Sequence, residues 1–85
     1  MTHTYDDVLR HITNYLHHRL EGSPLVTANS HFTQELHVDS LQVFEIVGEL
    51  EEKYQVIIPL ELLFKQRIQT VAQLVDEVMH LLEKT

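Results

Sequence analysis

The chain has 85 residues, 44% of them hydrophobic, no cysteine and a net charge of −7. That length supports one small core and argues against a deep catalytic cleft, and the missing thiols exclude disulfides, thiolate metal sites and a cysteine nucleophile. The acidity disfavours nucleic acid as a partner, and no apolar run approaches the ~20 residues of a membrane span.

Residues Tyr5 to Leu20 read as the first helix, with apolar residues at Tyr5, Val8, Leu9, Ile12, Tyr15, Leu16 and Leu20. Thr4 suits the N-cap, Asp6 and Asp7 the positive end of the dipole, and His17, His18 and Arg19 the negative end. Gly22 and Pro24 stop it. Upstream, Met1 to Asp7 has neither the basic nor the apolar stretch of a secretory signal, so a cytoplasmic protein is expected.

The connection from Gly22 to Val38 runs for 17 residues, long for a compact domain. Leu25, Val26, Phe32, Leu36 and Val38 are expected to pin it to the core, and Ser30 to cap a short helical turn through Phe32 and Leu36.

The second helix is expected over Ser40 to Tyr54, with Leu41, Phe44, Ile46 or Val47, Leu50 and Tyr54 recurring at three- and four-residue steps. Glu45, Glu49 and Glu52 repeat on another face, and Asp39 and Gln42 have capping-box spacing. Between Glu35 and Glu61 stand seven acids and one base, so this segment carries −6 of the net charge. Such a surface attracts basic partners; the plainer reading is a solvated helix face.

Val56-Ile57-Ile58 is β-branched, but no second strand exists to pair with it, so a connector is expected. Pro59 suits the start of a short third helix ending near Gln66 and buried by Leu60, Leu62, Leu63 and Phe64. Thr70 caps a last helix with Gln73 three residues on, and Val71, Leu74, Val75, Val78, Leu81 and Leu82 form its inner face. The expected fold is all-α: a small four-helix bundle over residues 1–85 as one domain, with three longer helices, a short third helix and a long loop between the first two.

Ser40 beside Asp39 reads first as plain capping. No histidine stands at a spacing that would activate it, and an oxyanion hole and pocket are not evident, so a hydrolase is disfavoured. A helix N-terminus does offer unpaired N–H groups and partial positive charge, which favour a phosphate on that serine. The seven histidines include no pair four residues apart, and solvated surface histidine is the expectation over metal binding.

Leu36-His37-Val38-Asp39-Ser40-Leu41, then Glu45, Leu50-Glu51-Glu52-Lys53-Tyr54, Ile58-Pro59 and Thr70-Val71 with Leu74 and Val75 resemble the acyl carrier protein family. The resemblance spans nearly the whole chain. It implies a non-catalytic carrier with 4′-phosphopantetheine on Ser40, added from coenzyme A by a phosphopantetheinyl transferase. The cofactor's thiol holds acyl or aminoacyl groups as thioesters. Asp39 and Leu41 flank the attachment point, with Asp39 positioning Ser40. Leu41, Val43, Glu45, Val47, Gly48, Glu49 and Glu52 form the docking face for basic patches on partner enzymes. A stand-alone, monomeric carrier is the resulting expectation.

Two features depart from the family pattern. His37 stands where the family usually has glycine; histidine tolerates left-handed backbone better than most residues but less well than glycine. Gln42 replaces an acid common in fatty-acid carriers, and Pro59 to Thr70 resembles polyketide and peptide-synthetase carriers, which points to a specialised pathway. An aminoacyl carrier charged by an adenylating ligase fits equally well. The reading from a different class is an acidic helical interaction module without cofactor.

Overall fold

The computed structural model describes residues 3–65 and 67–84, the side chain of Phe64 excepted. Helix α1 covers Tyr5–Arg19, with the Thr4 hydroxyl accepting the Asp7 N–H at 3.2 Å. Val8, Ile12 and Leu16, each one turn apart, face inward and are fully buried, whereas Tyr5 sits at the exposed rim. Leu20 is the C-cap: its N–H still reaches the Leu16 carbonyl at 3.0 Å, but its own backbone is extended. The His17 Nδ1–H donates to the Pro24 carbonyl at 2.8 Å and folds the following loop back onto the helix end.

The long connection is ordered by hydrogen bonds to the far end of the chain. A helix N-terminus leaves its first N–H groups without intrahelical partners. In α4, Val71–Glu83, the Val71 N–H donates to the Ser30 carbonyl at 3.1 Å and the Ala72 N–H to the Ala28 carbonyl at 2.8 Å. The Phe32 N–H returns to the Gln69 carbonyl at 2.9 Å, and His31 and Thr70 form an isolated antiparallel bridge. Val26, Phe32 and Val38 are buried and Leu36 half-buried, as their apolar character demands. Leu25 is not an anchor: it is 86% exposed, because the chain leaves the α1 end there before turning inward at Val26. Nor does Ser30 cap the turn that follows. Its buried hydroxyl accepts the Thr27 N–H at 2.9 Å, while His31 Nδ1 accepts the N–H groups of Thr33 and Gln34 at 3.3 and 3.2 Å.

Helix α2 covers Ser40–Tyr54 and buries Ile46, Val47, Leu50 and Tyr54. Gln55 ends it in a left-handed conformation, φ 55°. The connector then alternates as an extended chain does, with Val56 and Ile58 buried and Ile57 outward. No strand forms among the described residues. Helix α3, Glu61–Phe64, is a single turn; Leu60, Leu62 and Leu63 pack half-buried on the core, and the expected contribution of the Phe64 side chain and the expected end at Gln66 lie outside the described residues.

In α4 the Thr70 hydroxyl accepts the Gln73 N–H at 3.3 Å and the Gln73 amide oxygen accepts the Thr70 N–H at 3.1 Å. Val71, Leu74, Val75 and Val78 are fully buried, and α4 packs most extensively on α1. The architecture is an all-α bundle of three longer helices and one short one. Packing of α1 and of α2 on α4 leaves the N-terminus of α2 and its acidic stripe at the surface.

Candidate cofactor-attachment site and the acidic helix face

Ser40 is the first residue of α2, not its cap. The cap is Asp39, whose carboxylate accepts the Gln42 N–H at 2.8 Å while the Gln42 amide oxygen accepts the Asp39 N–H at 2.9 Å. The Val43 N–H is taken by the Asp39 carbonyl at 3.0 Å. Among the described residues nothing accepts from the N–H groups of Ser40 and Leu41 or engages the Ser40 hydroxyl, which is exposed. An exposed hydroxyl beside two uncommitted donors, at the positive end of a 15-residue helix, is a good environment for a phosphodiester. Asp39 thus caps the turn in which Ser40 is the first residue.

His37 directs the chain into this turn. Its φ of 54° is left-handed. The next residue, Val38, is buried and donates its N–H to the Phe32 carbonyl at 2.8 Å. The reversal lets Val38 go in while Asp39 and Ser40 stay out.

One turn beyond Ser40, the half-buried Val43 lines a cleft of about 40 Å³ with Phe32, Val38, Leu63 and Ile68. Phe44, on the recurring stripe of the helix, is 52% exposed and does not line this cleft.

The expected docking residues separate in space. Leu41, 68% exposed, faces solvent, as do Glu45, Gly48 and Glu52; Val43 and Glu49 are half-buried. A Cβ at Gly48 would meet nothing within 4 Å, so internal packing does not require the small residue. Val47 is corrected: only 4% exposed, it belongs to the core. It lies one turn from both Val43 and Leu50, on the stripe that α2 turns inward.

Three of the acids have partners that no sequence spacing foretold. Arg19 Nη2 lies 2.6 Å from Glu45 Oε2, and His11 Nε2 lies 2.9 Å from Glu49 Oε2. Glu51 accepts the Ile58 N–H at 2.9 Å. The hydrogen bond to Glu45, followed by the charges of Tyr15 and Glu45, holds the Arg19 guanidinium above its ordinary value. His11 also meets the Tyr54 ring edge-on, with centroids 5.8 Å apart, and His3 does so at 5.0 Å. Among the described residues no three histidine, aspartate or glutamate side chains converge on a possible metal position.

The family model for the phosphopantetheine attachment site matches residues 9–78. The chain belongs to this phosphopantetheine-binding carrier family. No curated protein matches it at a significant level. The family carries covalently attached 4′-phosphopantetheine, and its domains are carriers, not catalysts. The donor set of the α2 N-terminus fits the phosphate of that group. The chain itself has no cysteine and so supplies no thiol of its own. A carrier of this family also meets a modifying transferase and the enzymes of its pathway.

Proposed function

We propose that this carrier is modified on Ser40 and shuttles acyl or aminoacyl groups between cytoplasmic enzymes of a specialised polyketide, lipid or peptide pathway. The observation that carries the reading is the exposed Ser40 hydroxyl beside the uncommitted N–H groups of Ser40 and Leu41. When bound, the group supplies a thiol that holds cargo as a thioester. Ser40 Oγ attacks the pantetheine-bearing phosphorus of coenzyme A, and its proton passes to a base of the transferase. The pyrophosphate bond breaks with adenosine 3′,5′-bisphosphate as the leaving group, and Ser40 becomes the ester oxygen of the phosphodiester. The neighbouring N–H groups and the helix dipole stabilise the resulting negative charge. Asp39 keeps the turn in place.

Leu41, Val43, Glu45, Gly48, Glu49 and Glu52 then form the docking face, with Val47 supporting it from beneath. Exposed ion pairs contribute about 0–1 kcal/mol each and are screened by salt. Weak docking suits a monomeric carrier that must leave each enzyme. Helix length and apolarity allow no membrane-crossing helix among the described residues.

Intact mass before and after incubation with coenzyme A and a broad-specificity phosphopantetheinyl transferase tests the reading. Wild type gains the mass of one arm and Ser40→Ala gains none; no gain on wild type, or an equal gain on both, sinks it. Because Asp39 is the cap, Ser40→Ala leaves folding stability within about 0.5 kcal/mol, which separates lost attachment from lost structure. Offering the modified protein acyl and aminoacyl donors in turn distinguishes the two cargoes.

A further inference from the structure

The acidic face of α2 is not open to partners along its whole length. Glu45 lies five residues beyond Ser40, about 7.5 Å along the helix axis, so an enzyme that reaches Ser40 by this face passes Glu45. That carboxylate is already taken by Arg19 at 2.6 Å. Both residues line a cleft of about 50 Å³ between α1 and α2, among others with Tyr15, Gln42 and Ile46. The Arg19 guanidinium also lies 5.8 Å from the centre of the Tyr15 ring, and the Tyr15 hydroxyl donates to the Glu45 carbonyl at 3.5 Å. A planar cation resting on an aromatic ring and reaching a carboxylate is what an arginine of a docking enzyme would also provide.

The pair is poorly suited to a structural role. Its side chains are 56% and 41% exposed, and pairs this open add little to folding. Arg19 is the last residue of α1, where the helix dipole favours a cation whether or not Glu45 is near. The guanidinium can therefore leave Glu45 at small cost.

We propose that Arg19 is a resident competitor at the docking face: it occupies Glu45 in the free protein, and an arginine-bearing partner docks by displacing it. Partners that bring a forked guanidinium replace the lost bond in kind, whereas a lysine offers only a point charge. The contact thus favours arginine-bearing partners and weakens casual association with other basic surfaces. The inference rests on the carrier reading only in taking this face as the one that partners use.

The test is binding of a fluorescently labelled tetra-arginine peptide, followed by anisotropy at low ionic strength. Arg19→Gln raises the net negative charge, so the comparison is with Arg10→Gln, which removes the same charge from an exposed residue of the same helix that makes no ion pair among the described residues. Arg19→Gln is expected to bind about two- to five-fold tighter than Arg10→Gln, the worth of one exposed ion pair. Between Arg19→Gln/Glu45→Gln and Arg10→Gln/Glu45→Gln, which are again equal in charge, that difference is expected to vanish. Equal affinities for Arg19→Gln and Arg10→Gln, or a gain that survives Glu45→Gln, overturns the proposal. None of these measurements uses Ser40 or coenzyme A, so failure here and failure of the mass-gain experiment are separate results.

Discussion

The main-chain N–H of Ile58 donates to the carboxylate of Glu51 at 2.9 Å. One acid of the α2 charge run thus ties the connector to the helix that precedes it. Burial of Ile58 and Val56 depends on this connector holding its path, and an extended segment without a strand partner must find other acceptors for its N–H groups. Glu51 and Glu52 are adjacent in sequence and alike in charge, yet they do different work: Glu51 is half-buried with a hydrogen bond, and Glu52 is exposed.

Glu51→Ala is expected to cost about 1.5–3 kcal/mol, the range for a hydrogen bond to a charged group whose partner is left unsatisfied. Glu52→Ala should stay within about 0.5 kcal/mol. Urea unfolding of the two variants beside wild type measures this, and equal losses would show that the Ile58 contact does not hold the connector.

The left-handed backbone at His37 yields a second expectation. A side chain with a Cβ at φ 54° is strained by roughly 1–2 kcal/mol, and glycine removes the strain but adds freedom to the unfolded chain. His37→Gly should be stabilising by about 0.5–1 kcal/mol net. His37→Val should be destabilising, because β-branching fits this region worst. Should His37→Gly lower the urea midpoint instead, the histidine ring must contribute contacts that outweigh its backbone strain.

Tyr54 gives a pH dependence with a definite sign. Burial, and then the charges of Asp7 and Glu49, push its hydroxyl above the ordinary tyrosine value. The raised value means that the neutral form is favoured in the fold. Its contribution is fully present below the unfolded value of about 10 and is lost as pH rises through the folded one. Wild type should therefore lose stability relative to Tyr54→Phe as pH climbs beyond about 10, and keep a constant difference from it below about 9. Parallel stability curves for the two proteins across that range would contradict this.

Much of the carrier was legible before any coordinates. The bounds of α2, the capping pairs Asp39–Gln42 and Thr70–Gln73, and the buried stripes Val8-Ile12-Leu16 and Val71-Leu74-Val75-Val78 all stand as expected. Each of these is settled by residues within one or two helical turns of each other, so spacing alone encodes it. The left-handed tolerance that His37 had to supply was also visible, because glycine was the expected residue there.

Other features depend on which helices meet. Ile46 and Val47 both border the apolar stripe of α2, and packing in the bundle turned both inward, removing Val47 from the docking face. Leu25 is apolar yet 86% exposed, since the loop turns inward one residue later. Arg19 reaches Glu45 across 26 residues of chain and His11 reaches Glu49 across 38. The N–H groups of α4 find their acceptors in a loop some forty residues upstream. No periodicity records such pairs, because they exist only once the hydrophobic faces of α1, α2 and α4 have been buried together. Composition and spacing thus sufficed for a four-helix bundle with a serine at a helix start, and the motif resemblance for the carrier reading; tertiary packing decided which acids beside that serine are already paired.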